Sequence, residues 1–272
     1  MHYRLVVSDV DGTLIDEDGR VNQQTLELIR LFRQKGGYMT IATGRMKDAV
    51  VPLAQAIGVN APLILYNGSM IAEVDSTTCL MEKFLDEKLA AVSMGLAREI
   101  GVSMLLYCQG IAYTPQLTEA IDQHNQKEKV TCRLIDPSKD LLKEGLTKIL
   151  YIADEHAIEM LEKKHNTVTS SCWNLIRSEA NYLELLPQGA SKGNALRVLG
   201  EMLQIPIEAT VAVGDERNDI SMIQAAGVGV AVENAHPKLK DYADVVTRHQ
   251  RSRGVGELLQ RILQGETWGL GK

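Results

Sequence analysis

The sequence predicts an α/β fold: a doubly wound parallel sheet interrupted by an inserted α+β domain. Three observations predict it. The first third of the chain alternates strand-like and helix-like segments joined by short connections. The middle loses that alternation and carries helices with paired strands. The last third resumes it. Strand–helix–strand repetition of this kind implies parallel strands with right-handed crossovers.

Tyr3 to Ser8 is an apolar, valine-containing run and reads as a buried strand. Asn22 to Gln34 places Leu26, Ile29, Leu31 and Phe32 at helical spacing and stops at Gly36-Gly37. Tyr38 to Ala42 is a second strand and leads into Thr43-Gly44-Arg45. Met46 to Ile57 is a helix stopped by Gly58. Leu63 to Tyr66 is a third strand, followed by Asn67-Gly68. In the middle, Asp86 caps a helix that runs to Ile100. Val102 to Tyr113 carries strand pieces around Gly110, Leu117 to Gln126 is helical, and Lys148 to Ala153 is a strand. Ala157 to Lys164 is a helix, and Val168 to Ile176 and Asn181 to Leu186 are strands. The closing third gives a helix over Ser191 to Leu203, a strand over Thr210 to Val213 and a helix over Asn218 to Ala225. A strand at Val228 to Val232, a short helix near Pro237 to Tyr242, a strand at Asp244 to Thr247 and a helix over Val255 to Leu263 complete it. Glu266 to Lys272 carries two glycines and reads as a frayed tail. The economical architecture is a Rossmann-like core at 1–83 and 186–272, split by an insertion at 84–185.

With 272 residues, and ~150 per domain as a prior, one or two domains are expected. The net charge of -6, with no lysine/arginine block, argues against nucleic acid as a partner, so an anionic substrate must be attracted by a local site. Cys79, Cys108, Cys132 and Cys172 form no CxxC pair and read as reduced thiols of a cytoplasmic protein. Zinc is disfavoured because no histidine stands at ligand spacing to them. No signal peptide is visible, and the first apolar run is too short to span a membrane. The histidines are scattered with no serine or carboxylate partner at suggestive spacing, which disfavours a Ser-His-Asp triad. Trp173 and Trp268 fit packing roles, with Trp173 also a candidate platform for a sugar face.

Four segments carry the chemistry. Asp9-Val10-Asp11-Gly12-Thr13 closes the first strand with two carboxylates, a glycine and a hydroxyl. Acids at the carboxyl end of a parallel strand sit where open α/β sheets bind ligands. Alone, the pentapeptide is also compatible with a plain turn. Thr43-Gly44-Arg45 offers a hydroxyl and an amide to an anionic oxygen, or simply a helix start. Ser191-Lys192-Gly193 puts a cation on a first helical turn, against the dipole, which suggests a partner anion or a solvated lysine. Gly214-Asp215-Glu216-Arg217-Asn218-Asp219 places a second acidic loop after the strand Thr210 to Val213, with Asp219 alternatively a helix-capping acid.

Taken together, in this order, the segments resemble the haloacid dehalogenase superfamily, with a core match over 3–82 and 187–264. The insertion resembles the type IIB cap of the Cof-like sugar-phosphatase group. Asn67-Gly68 and Ala231-Val232-Glu233-Asn234-Ala235 are similar to segments of that group. The resemblance implies a phosphomonoester hydrolase with Asp9 as nucleophile and Asp11 as general acid, then base. It implies that Gly12, Thr43, Gly44 and Lys192 hold the phosphoryl group. Asp9, the backbone carbonyl of Asp11, and Asp215 would ligate Mg²⁺, with Asn218 and Asp219 orienting those ligands or the lysine. Magnesium prefers a few carboxylate oxygens plus water, and a carboxylate on it stays ionised. Gly12 and Gly44 have no Cβ, so their amides can approach a phosphate closely.

The resemblance further implies a cap that closes over the cleft and sets leaving-group specificity. Arg45 and Asn67 are the first candidates for substrate contact, and Ser171 to Asn174 and Arg177 offer polar groups within the cap. The expected substrates are small phosphorylated metabolites, sugar phosphates first. A phosphomutase using the same aspartyl-phosphate, or a non-catalytic binding protein on a retained scaffold, are the alternatives. No nucleic acid or membrane partner is expected, and the chain is a monomer or small homo-oligomer. Glu233, where a glycine often precedes Asn-Ala, and Arg251-Ser252-Arg253, where the group often has acids, depart from the pattern without touching the four segments.

Overall fold

The computed structural model describes residues 2–75, 77–128, 130–135, 140–168 and 173–268. The chain divides into two compact units: a core unit of Met1–Gly44, Val50–Met81 and Ser191–Lys272, and an inserted unit of Arg45–Ala49 and Glu82–Ala190. Each is described by itself.

The core begins with β1 (Leu5–Ser8), every residue of which is buried. A central strand covered on both faces needs such a continuous apolar run. A tight turn over Val10–Leu14 follows, closed by the Ile15 N–H on the Val10 carbonyl at 3.1 Å. Asn22 then caps α1 (Gln23–Gln34) by accepting from Gln24 N. Next come β2 (Tyr38–Ile41), α2 (Lys47–Ile57), β3 (Leu63–Leu65), β4 (Met70–Ala72) and β5 (Cys79–Glu82).

The inserted unit holds α3 (Glu87–Ile100), β6 (Ser103–Cys108), β7 (Ile111–Thr114), α4 (Glu119–Glu128), β8 (Arg133–Leu134), α5 (Leu141–Glu144), β9 (Leu146–Ile152), α6 (Glu155–Val168), β10 (Asn174–Glu179) and β11 (Tyr182–Leu186). Asp86 caps α3 through Leu89 N. The core resumes with α7 (Lys192–Met202), β12 (Thr210–Gly214), α8 (Ile220–Ala225), β13 (Val228–Ala231), α9 (Pro237–Lys240), β14 (Val245–Val246) and α10 (Arg251–Leu263).

The core sheet has the order β14-β13-β12-β1-β2, and all its pairings are parallel. Ser8 lies opposite both Val213 and Ile41. That register brings Asp9, Ala42 and Gly214 out of the sheet together at its carboxyl edge. The inserted unit folds on a sheet of order β10-β11-β9-β6-β7-β8, antiparallel except for the β7–β8 pair. Its apolar core gathers Met94 and Ala97 of α3, Ile158 and Leu161 of α6, and Leu106, Ile149 and Leu185 of the strands.

Several expectations need correction. The third strand forms as β3, yet it lies outside the five-stranded sheet: it pairs antiparallel with β4 in a separate sheet β3-β4-β5 and meets the end of β2 through a parallel bridge from Ala42 to Ile64. The cause is local: Tyr66, Asn67 and Gly68 have φ of 49°, 53° and 93°, the left-handed run that an Asn-Gly hairpin turn favours. The strand expected at Val168 to Ile176 is absent at its start, because α6 continues through Val168 and β10 begins at Asn174; 169–172 lie outside the described residues. The described part of the tail is tied down. Trp268 stacks on Tyr3 with ring centroids 5.8 Å apart, the Arg261 guanidinium lies over the Trp268 ring at 4.7 Å, and the Tyr3 hydroxyl donates to the Trp268 carbonyl at 2.8 Å. Cys79 is exposed and Cys108 and Cys132 are buried, all three as thiols, and Cys172 lies outside the described residues. Among the described residues no helix is long and apolar enough to cross a membrane.

Candidate active site

The carboxyl edge of the core sheet gathers the four sequence segments. After β1 the chain turns so sharply that Asp11 is extended (φ -79°, ψ 120°) and Gly12 is left-handed (φ 79°). A Cβ on Gly12 would lie 2.1 Å from Asp215 Oδ2, so both the backbone angle and the space exclude a side chain there. From the same turn, the Thr13 hydroxyl donates to Asp215 Oδ1 at 2.7 Å.

Lys192 stands at the centre. Ser191 caps α7 by accepting from Asn194 N, and Lys192 follows on the first turn. Its ammonium is completely buried and donates to Asp9 Oδ1 and Asp219 Oδ1, each at 2.6 Å. The close packing of α7 on α8 makes that reach possible. A Cβ on Gly193 would meet the Ser221 carbonyl at 2.1 Å, and the Ser221 hydroxyl accepts from Gly193 N at 3.2 Å.

Asp219 is held from the other side. Its Oδ2 accepts from the backbone N–H of Asp215 at 3.0 Å and of Glu216 at 3.2 Å. Asn218 donates to Asn67 Oδ1 at 3.1 Å, tying the second acidic loop to the strained Tyr66–Gly68 turn. Thr43 is buried, its carbonyl accepts from Asn67 N at 2.9 Å, and Gly44 packs beside the Asn67 amide. Asp11 is exposed.

The electrostatics follow from this crowding. Burial, then Asp219, raise the Asp9 carboxyl well above the usual range, with Asp215 and Asp11 adding to them and Lys192 opposing. Burial and Asp219 push Asp215 up to about 7. Burial alone would lower the Lys192 ammonium, but Asp219 and Asp9 outweigh it and hold the lysine protonated. One ammonium therefore faces more carboxylate than it can neutralise. Asp9, Asp215 and Asp219 each offer an oxygen within 4.8 Å of the others, an all-oxygen set suited to a hard divalent cation. Asp219 has both oxygens engaged, one by Lys192 and the other by backbone amides.

The two residues first expected to contact substrate have partners within the protein. Arg45 Nε lies 3.4 Å from Glu128 Oε2, at the end of α4. Asn67 is buried against Asn218. In the inserted unit Arg177 pairs with Glu155 at 3.2 Å and with the Ala180 carbonyl at 2.7 Å. Asn174 donates to the carbonyls of Pro187 and Ala190, and Ser171 lies outside the described residues. Trp173 is a packing residue: its indole donates to the His165 carbonyl at 3.0 Å and its ring meets His165 edge-on.

Sequence reasoning missed three residues. Thr13 was visible in the first segment but had no role. Asn234, whose side chain donates to the Gly12 carbonyl at 2.8 Å, was named only in a resembling segment. Ser221 carried no sequence signal.

Comparison with known proteins agrees with this geometry. The model of the haloacid dehalogenase-like hydrolase family matches residues 6–259. The phosphatase YwpJ of Bacillus subtilis is 28% identical over 291 residues, covering 96% of this chain and 100% of its own. A haloacid dehalogenase-like hydrolase of Bacteroides thetaiotaomicron superposes with a TM-score of 0.82 at 29% identity, over 96% of this chain and 99% of that one. The subclass IIB sugar phosphatase BT4131 superposes with a TM-score of 0.82 over 95% of this chain and 98% of its own, and at 20% identity that likeness is one of fold. The matched span takes in the turn after β1, the lysine of α7 and the acidic loop after β12 alike, and the chain belongs to the haloacid dehalogenase-like hydrolases.

Proposed function

We propose that the chain is a Mg²⁺-dependent phosphomonoester hydrolase that acts on small phosphorylated metabolites, sugar phosphates first, through an aspartyl-phosphate at Asp9. The observation that carries the reading is the buried Lys192 ammonium bridging Asp9 and Asp219, beside an Asp215 held by Thr13.

Asp9 and Asp215 would hold the metal, with the Asp11 carbonyl, and the ion when bound supplies positive charge against the phosphoryl oxygens. An Asp9 carboxylate oxygen attacks phosphorus as the bond to the leaving oxygen breaks, and Asp11 gives that oxygen a proton. Water then attacks the same phosphorus, Asp11 takes its proton, and the phosphorus–oxygen bond to Asp9 breaks to release phosphate. Lys192 has three N–H donors and directs two at carboxylates, which leaves one for a phosphoryl oxygen. Thr43 and the amides of Gly12 and Gly44 add neutral donors, which stabilise negative charge that develops in the transition state. The inserted unit, 84–185, is assigned leaving-group specificity.

The test is phosphate release from p-nitrophenyl phosphate and a panel of sugar phosphates, with Mg²⁺ and with chelator. Metal-dependent release supports the proposal. An isomerised sugar phosphate without free phosphate would replace it with a mutase, and no turnover of any ester would remove it.

A further inference from the structure

Asn234 lies outside the four chemical segments, yet its side chain joins one of them to a distant helix. Its amide Nδ2 donates to the Gly12 carbonyl at 2.8 Å. Its Oδ1 accepts from the backbone N–H of Arg251 at 2.8 Å, at the first residue of α10. An asparagine has one carbonyl and one amide, and here each end is committed to a different backbone.

Both partners are unusual. Gly12 is the left-handed residue that turns the chain between Asp11 and Thr13. Arg251 is a left-handed non-glycine (φ 49°), a conformation that persists only where the surroundings over-determine it. Ser252 is buried, its hydroxyl accepts from Asn22 N at 2.8 Å, and its carbonyl accepts from the Thr25 hydroxyl at 2.8 Å. A Cβ on Gly254 would lie 2.5 Å from the His249 carbonyl, so the helix start is tightly packed as well. The loop that carries Asn234 is held in turn: Glu233 N donates to the His249 carbonyl at 3.2 Å, and Gln250 donates to the Glu233 carboxylate.

We propose that Asn234 is a positioning residue that braces the Asp11–Thr13 turn against the start of α10, and so sets the Asp11 carboxyl and the Thr13 hydroxyl relative to Asp9 and Asp215. The proposal rests on the phosphatase reading for its kinetic consequence but not for its structural one. Without the Nδ2 donor the Gly12 carbonyl loses its anchor and the turn gains freedom. A displacement of about an ångström at reacting groups costs about 100-fold in rate, and a partial loosening costs less.

The experiment compares Asn234→Ala and Asn234→Asp with the unaltered chain. Asp keeps an acceptor for Arg251 N but replaces the donor to Gly12 with an oxygen, so it separates the two arms. Turnover of p-nitrophenyl phosphate with Mg²⁺ is measured beside hydrogen exchange of the 11–14 amides. Both variants are expected to lower kcat about 10- to 100-fold with KM within about threefold, and to speed exchange in the turn while β1 and β12 keep theirs. The proposal is overturned if Asn234→Asp keeps kcat within about twofold, or if exchange at 11–14 is unchanged in both variants. An unaltered chain that hydrolyses no ester defeats the phosphatase reading alone, and the exchange measurement still decides the brace.

Discussion

In the core unit a fully buried ammonium, Lys192, stands among Asp9, Asp215 and Asp219. In the inserted unit an equally buried imidazole, His165, stands among Ser93, Tyr151 and the Leu161 carbonyl. The proton positions in the second network can be read off. Nδ1 of His165 faces the Leu161 carbonyl at 2.8 Å and must carry its hydrogen there. Nε2 is then an acceptor for the Ser93 hydroxyl at 2.7 Å, and Ser93 accepts from the Tyr151 hydroxyl. Every group is neutral and partnered. A serine–histidine contact of this kind was not expected from the sequence, because its members are 72 residues apart. It joins α3, β9 and α6 through neutral groups and organises that side of the unit. In the same unit Lys148 and Glu184 form a buried ion pair at 3.2 Å. Burial of polar groups is common to both units. Among the described residues, the buried carboxylates that outnumber their cation are those around Lys192, and it is there that the fold meets the cost of holding them together.

The comparison breaks most sharply at Asp9. Asn in its place keeps the shape and a partner for Lys192 but removes the nucleophile. We expect Asp9→Asn to lower kcat by at least about 10⁴-fold, as loss of a nucleophile does in other covalent enzymes, with an unchanged far-ultraviolet spectrum. Near-normal turnover would take Asp9 out of the mechanism. Lys192→Met should also abolish turnover. Unlike Asp9→Asn, it leaves Asp9 and Asp219 without their cation, and breaking a buried pair in this way costs about 3–5 kcal/mol. A denaturant titration that finds it as stable as Asp9→Asn would contradict the bridging role.

Much of this was legible in the sequence. The parallel strands β1, β2 and β12 announce themselves as apolar runs, and Asp86 caps the helix it precedes. Asp9, Thr43, Lys192 and Asp215 were legible because each ends a strand or opens a helix at the same sheet edge. What was not legible depends on long-range pairing. The β3–β4 hairpin hides behind an Asn-Gly that serves two purposes, turn and site. Thr13 to Asp215 spans 202 positions and Asn234 to Gly12 spans 222, and nothing local in either residue declares its partner. The pinned tail was missed because glycines outweighed Trp268 in the reading, while Tyr3 waited at the other end of the chain.

The two units should respond to pH with opposite sign. In the metal-free core, the folded pKa of Asp215, at about 7, lies above its ordinary 3.8. Its contribution to stability is complete below pH ~4 and is lost as pH rises through ~7, because the folded state holds the proton more tightly than the unfolded chain does. In the inserted unit, burial, then Lys148 and Lys127, lower His124 from 6.5 to about 4. Its contribution is complete above pH ~6.5 and is lost as pH falls through ~4. Trp268 and Trp173 report the two units separately, so single-tryptophan variants followed through thermal melts in chelator distinguish them. The core signal should melt higher at pH 5 than at pH 8, and added Mg²⁺ should reverse that order by favouring ionised carboxylates. The inserted-unit signal should melt lower at pH 5 than at pH 7. Parallel slopes for both signals would dissolve the contrast drawn between the networks.

The smallest expected effect falls on the neutral network itself. His165→Phe fills most of the same volume but removes the acceptor of the Ser93 hydroxyl, and leaving a buried donor unpaired costs about 1–3 kcal/mol. Replacing Ser93 with Ala in the same chain passes the unpaired donor on to the Tyr151 hydroxyl and should recover little of the loss. Turnover of p-nitrophenyl phosphate should stay within about twofold in both, since a leaving group this small asks little of the inserted unit. The sign of the result matters more than its size. A stable His165→Phe that has lost activity would mean that the imidazole moves a proton after all, and that neutrality and burial are no guide to which polar network in this chain carries chemistry.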